Sequence, residues 1–263
     1  MRVNISNVEG PGIKVNRGNY SKIKGCEISK SQCGVHVISA QPQILMNNFF
    51  NNYESGIITE TRTMPDNRTN QTVIGMFEDK KKFLRCDALI QFNKIEMNKQ
   101  CGILCQGENN HTRIEKNLKI SGNTLAGIKA VDGADIIVVN NVDISKNYGQ
   151  GILLVETSIG HIEKNNIMKN YKANIAYGGP GSSDTVILNN TIRESRAEGI
   201  FVIESGFSWI KRNNIIDNAD GIILFDSTPH IQGNVIEQNQ RSGVTCCGCS
   251  FPKLEQNQIF GNI

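Results

Sequence analysis

Apolar and polar residues alternate in short bursts along this chain, and the bursts recur every 22–25 residues. Residues 199–221 hold one complete unit. Gly199 opens it, and Ile200 and Val202 follow at a spacing of two. Then comes Ile210-x-x-Asn213-x-Ile215-x-x-Asn218, before Gly221 starts the next unit with the same grammar. Apolar residues at a spacing of two predict strands, and no segment keeps helical spacing long enough to predict a helix. A chain that repeats itself at this period predicts a solenoid.

The opening glycines are Gly12, Gly34, Gly56, Gly102, Gly127, Gly151, Gly199, Gly221 and Gly243, with Asn174 in the place between Gly151 and Gly199. One residue later stands an aliphatic β-branched side chain every time, from Ile13 and Val35 to Ile222 and Val244. Such residues suit a strand stacked on its neighbours. Two asparagine columns mark the second half of each unit. The first runs from Asn47 to Asn257, with Cys26 in the first unit; the second runs from Asn52 to Asn262, with Ser31 and Ser195 as substitutes. The units at Asn117 and Asn141 carry one extra residue before the next Ile, which predicts a local bulge.

Three apolar dyads per unit, with Gly or Asn at the corners, predict three short strands joined by tight turns. The fold expected is all-β, a single-stranded right-handed parallel β-helix of the pectate-lyase-like kind. About ten coils at ~4.8 Å give a rod of roughly 45–50 Å. Asn is expected at the corners because it tolerates left-handed backbone and because stacked amides donate and accept along the column. A leucine-rich repeat is the rival, but Ile rather than Leu dominates, and a second Asn follows the first.

The repeat makes 1–263 one domain, and both ends fall mid-repeat, so a segment of a longer protein is expected. Two places break the rhythm. Thr61–Cys86 is extra sequence in a 46-residue interval and predicts a loop insertion. Tyr177–Ser183 is a glycine-rich bulge. Loops on a rigid scaffold commonly carry function.

A net charge of +3 and 6% aromatic residues give no footprint for nucleic acid. Apolar runs such as Ile136–Val139 are strand-sized, so no membrane span is expected. The 8 cysteines show no framework spacing, and Cys105 and Cys246 share a register position with Val37, Leu154 and Val202. Reduced, buried thiols and a cytoplasmic or nuclear address are the reading.

Candidate chemistry is sparse. Asp132 and Glu156 stand five residues after Gly127 and Gly151, so they fall on adjacent coils, as a pair of glycosidase carboxylates would. They are the weak catalytic candidates, and a solvated turn explains them as well. His161 and His230 share a register position but lie three coils apart, roughly 14 Å, too far for one metal. They read as surface imidazoles. Cys246-Cys247-Gly248-Cys249 lacks a second ligand pair, so no metal and no cofactor are expected. Lys80, Lys81 and Lys82 in the insertion, and Tyr177 and Gly178 in the bulge, are the candidate contacts for a partner.

The pattern G-[IV]-x-[VLAC] followed by I-x-x-N-x-I-x-x-N resembles the β-helix repeats of carbohydrate-binding and sugar-hydrolase-like (CASH) proteins. GIKVNRGNYSKIKGCEIS and GILLVETSIGHIEKNNIMKN are similar in style to the β-helix F-box proteins and the SHC SH2-domain-binding protein family. That resemblance implies the fold, and a non-enzymatic body that binds a protein partner, as in substrate recognition by a ubiquitin ligase or a signalling adaptor. It carries over no catalytic residue. A carbohydrate-active or carbohydrate-binding β-helix is the alternative reading.

Overall fold

A computed structural model describes residues 3–62, 85–179 and 184–263. Among the described residues the chain winds into three parallel sheets and no helix. Sheet A has 11 strands, from β1 (Val3–Ser6) to β31 (Gln258–Phe260); sheet B has 10, from β2 (Ile13–Val15) to β29 (Val244–Cys247); sheet C has 10, from β3 (Lys22–Lys24) to β30 (Lys253–Glu255). Each sheet takes every third strand in order. Each coil therefore lays one strand on each of three faces, the expected right-handed β-helix.

The register stacks like on like, as the repeat predicts. Ile128 pairs with Ile152, Ile152 with Ile175, Ile175 with Ile200, and Ile200 with Ile222, all fully buried. Two residues on, Cys105, Ala130, Leu154, Tyr177, Val202, Leu224 and Cys246 form one column. Cys105 is buried there as a small hydrophobe, and burial pushes its thiol up to about 12. Cys246 keeps the register but is exposed, because β29 is the last strand of its sheet. All eight cysteines are free.

The corners differ from expectation in an instructive way. The ladder asparagines do not take the left-handed backbone; the residue before each one does. Lys116, Lys164 and Arg212 precede the first column with φ of 53°, 53° and 54°, and Lys146, Lys169 and Glu194 precede the second with 54°, 56° and 55°. The Asn is needed for its bonds. Asn213 is 2% exposed, and its Oδ1 accepts from the Asn190 backbone N–H at 2.9 Å and from Asn190 Nδ2 at 3.0 Å. Its own Nδ2 donates to Ile187 O at 2.8 Å and Asn234 Oδ1 at 3.1 Å. Such a fully satisfied buried amide offsets the strained residue beside it. The bulge at Asn117 is present: Leu118 and Lys119 both donate backbone N–H groups to Asn93 O.

None of the opening glycines has positive φ. They are there for space. A Cβ on Gly199 would lie 2.7 Å from Ile215 Cγ2, 2.8 Å from Gly221 O and 2.9 Å from Asn218 Nδ2. Two of those three are polar groups of the ladder, which cannot retreat without losing bonds. Gly199→Ala is therefore expected to cost about 2 kcal/mol and lower the melting temperature by about 5 °C. A thermal melt followed by circular dichroism checks this, and an unchanged midpoint would show that the coils have room there.

The one coil that opens with Asn instead of Gly is also the one with Ser195 in the second asparagine column. These are a single feature. Asn174 Oδ1 accepts from Asn170 Nδ2 at 2.8 Å, and Asn174 Nδ2 donates to Asn218 Oδ1 at 3.1 Å. The Asn174 amide thus fills the rung that Ser195 leaves short. The Ser195 hydroxyl turns instead to Lys172 O, at 2.8 Å, and accepts from the Ala197 backbone N–H at 3.1 Å.

Candidate functional site

The residues singled out in the sequence do not gather. Asp132 and Glu156 are stacked neighbours, as their spacing predicts: Gly133 donates its backbone N–H to Glu156 O at 2.9 Å. Both are exposed, on left-handed backbone at the corner between sheets B and C, and Asp132 accepts from Gln106 Nε2 at 2.8 Å. Lys80, Lys81 and Lys82 lie outside the described residues, as do residues 180–183 of the glycine-rich bulge.

Tyr177 and Gly178 need correction as contact residues. Tyr177 is 1% exposed; it points into the coil, and its hydroxyl lies 2.7 Å from Ser208 Oγ. The register requires this, since Tyr177 stacks between Leu154 and Val202. Gly178 is buried too, and a Cβ there would collide with Ile203 O. Neither offers a partner a surface.

His161 and His230 are three coils apart along sheet C, through Val186 and Trp209. His161 is half-exposed, with Nε2 3.1 Å from Glu163 Oε2. His230 is not a surface imidazole. Trp209 packs on it at 4.3 Å between ring centroids, and Nε2 lies 2.9 Å from Glu255 Oε2. Lys253 and His230 together hold the Glu255 carboxyl below the usual range. Among the described residues no three His, Cys, Asp or Glu side chains come together as a metal site.

The most site-like constellation is elsewhere, at the corner between sheets A and B. There the repeat places Lys146, Lys169 and Glu194 at the left-handed position of three successive coils. Two residues later in each coil stand Tyr148, Tyr171 and Arg196. The two phenol rings stack at 4.8 Å with 22° between planes, the coil spacing itself. The Arg196 guanidinium lies 4.0 Å from the centre of the Tyr171 ring. Tyr148 is 57% exposed and Tyr171 39% exposed. With Met97 and Gly122 these six line an open groove of about 530 Å³. That volume falls in the range of small-ligand sites. The signal was present in the sequence as aromatic, aromatic, cation directly after Asn147, Asn170 and Ser195, but it shows only when that register position is read down the stack.

Charge in the groove is uneven. Lys169 Nζ pairs with Glu194 Oε2 at 3.1 Å, and Arg193 Nη1 holds Glu194 Oε1 at 2.5 Å. Lys146 and Arg196 have no carboxylate partner among the described residues. The arrangement offers hydroxyls, ring edges and free cations to a polar, extended ligand.

The model of a family described as the right handed beta helix region matches residues 1–142 and 126–263. Among solved structures, the chain is similar to the periplasmic alginate epimerase AlgG, with a TM-score of 0.59 and 13% identity over 95% of this chain and 77% of that one. It is also similar to the A-module of the mannuronan C-5 epimerase AlgE6 of Azotobacter vinelandii, with a TM-score of 0.56 and 15% identity over 97% of this chain and 72% of that one. Tailspike protein 3 of bacteriophage CBA120 gives a TM-score of 0.67 and 12% identity, over 97% of this chain and 41% of the tailspike. At these identities the likeness is one of fold. No curated protein matches the sequence. The match is to the β-helix at large, and the narrower likeness to F-box and SHC-binding proteins is not part of it. The chain belongs to the right handed beta helix region family.

Proposed function

We propose that this chain is a carbohydrate-binding β-helix that holds a saccharide chain at the corner between sheets A and B. The observation that carries the reading is the exposed Tyr148–Tyr171–Arg196 stack in its groove. Tyr171 is covered on its faces by Tyr148 and Arg196, so its exposed edge and hydroxyl are what a sugar can meet; sugar C–H groups pack on exposed ring surface, and sugar hydroxyls find partners in phenols, lysines and arginine. A column that repeats at the coil spacing suits a polymer laid along the helix axis. The fold neighbours support the reading, since two of them are epimerases of the polysaccharides alginate and mannuronan.

The reading is tested on a panel of immobilised glycans. Wild-type protein is expected to be retained by at least one polysaccharide, and Tyr171→Ala to weaken retention about tenfold with an unchanged melt. Retention that survives both Tyr171→Ala and Tyr148→Ala would move the site elsewhere.

A protein-binding scaffold has one observation in its favour. Phe201, Ile203, Ile223 and Phe225 form an outward block on sheet B, with Ile203 37% and Phe225 43% exposed. Loss of a protein partner on Phe225→Ser, with no glycan bound, would favour that role.

A further inference from the structure

Resting on that reading, we infer that the saccharide held at this corner is anionic, and that Glu194 limits how tightly it is held. Lys146 and Lys169 occupy the same left-handed backbone position in adjacent coils, and both line the groove. Lys146 has no carboxylate partner among the described residues, and the one anion paired with Lys169 is Glu194; cations gathered in one groove repel one another, and an anionic ligand offsets that. A neutral sugar relieves none of that repulsion; a carboxylate or sulfate ester relieves it directly. Arg196 adds a third cation. Its guanidinium carbon lies 4.0 Å from the Tyr171 ring centre and no carboxylate pairs with it among the described residues, so its N–H groups are available to a planar or tetrahedral anion.

The corner is cationic over a bounded stretch. Met97 and Gly122 precede Lys146 at the left-handed position, and Glu194 and Asp217 follow Lys169. An anionic chain therefore has favourable ground between Lys146 and Arg196, meets no charge at the Met97 and Gly122 positions, and is repelled at Asp217. Glu194 sits at the boundary and occupies Lys169 at 3.1 Å. A bound anion has to compete with Glu194 for that ammonium, so the carboxylate acts as a brake on affinity. The brake also keeps the free protein from carrying three uncompensated cations in one groove.

Calorimetric titration with three probes tests this: a neutral cello-oligosaccharide, polygalacturonate fragments and a short dextran sulfate, each at low and physiological salt. At least one anionic probe is expected to bind at least about tenfold tighter than the neutral one and to weaken with salt. Lys146→Gln and Arg196→Gln are each expected to weaken it about tenfold, and Glu194→Gln to tighten it severalfold. The tighter of the two anionic probes identifies carboxylate or sulfate as the group recognised. A neutral probe that binds as well as the anionic ones, or an affinity that Glu194→Gln leaves unchanged or lowers, overturns the inference while leaving a carbohydrate-binding protein in place. Anionic binding indifferent to Lys146 and Arg196 overturns it as well. No binding by any of the three overturns this inference; the reading beneath it falls only if the glycan panel also retains nothing.

Discussion

Ile200→Asp is expected to break the molecule's stack in the middle. Ile200 is fully buried and pairs with Ile175 on one side and Ile222 on the other. A carboxylate there has no donor within the column and must either ionise without a partner or stay protonated in an apolar interior. Either route costs more than about 4 kcal/mol, the range reserved for buried unpaired charge. In a solenoid each coil touches only its neighbours, so the damage separates the coils before it from those after it. The melting curve should lose its single transition or fall by about 10 °C or more. Asn213→Ala is expected to cost less, about 3 kcal/mol, since it strands one buried backbone N–H and two amide groups of the ladder without inserting a charge. The two melts side by side are the check. A milder effect from Ile200→Asp than from Asn213→Ala would mean that the amide columns, not the aliphatic ones, hold the coils together.

The second large effect is a cycle at the ladder splice. In regular coils the opening Gly faces an asparagine amide; a Cβ on Gly151, for example, would lie 2.7 Å from Asn170 Nδ2. Asn174 and Ser195 are the same pair with its sizes exchanged. Asn174→Gly alone removes the amide that bridges Asn170 and Asn218, at a cost of about 2 kcal/mol. Ser195→Asn alone forces a second amide into space already filled, at a cost of about 2 kcal/mol. Together they restore the regular pair, and the double variant should melt near wild type. That is a coupling of roughly 3–4 kcal/mol, far outside additivity. A double variant as unstable as the sum of its parts would show that the two positions do not share one rung.

Much of the fold was legible because the repeat writes each stacking position many times. The aliphatic columns, the two Asn columns and the buried Cys105 could be read from spacing alone. What escaped were features that exist only between coils. The opening glycines suggested turns, whereas their backbone is ordinary and the neighbouring coil's atoms demand the space. Asn174 and Ser195 were each visible as exceptions 21 residues apart, but their exchange needs the third dimension. His230 shares its position with half-exposed His161, yet Trp209 on the preceding coil covers it. The candidate site was missed for the same reason. Tyr148, Tyr171 and Arg196 vary between coils, so no repeat motif contains them, and their meaning lies in the contact between rungs. Loops drew attention instead, and Tyr177 and Gly178 of the bulge are buried.

The most direct test of the account is a crystal structure of the protein soaked with an acidic oligosaccharide. Sugar density is expected in the groove between sheets A and B, with a ring against Tyr148 or Tyr171 and an acid group between Lys146 and Arg196. Density instead over Trp209 on sheet C, or at the Asp132–Glu156 corner, with the tyrosine groove empty, would contradict it.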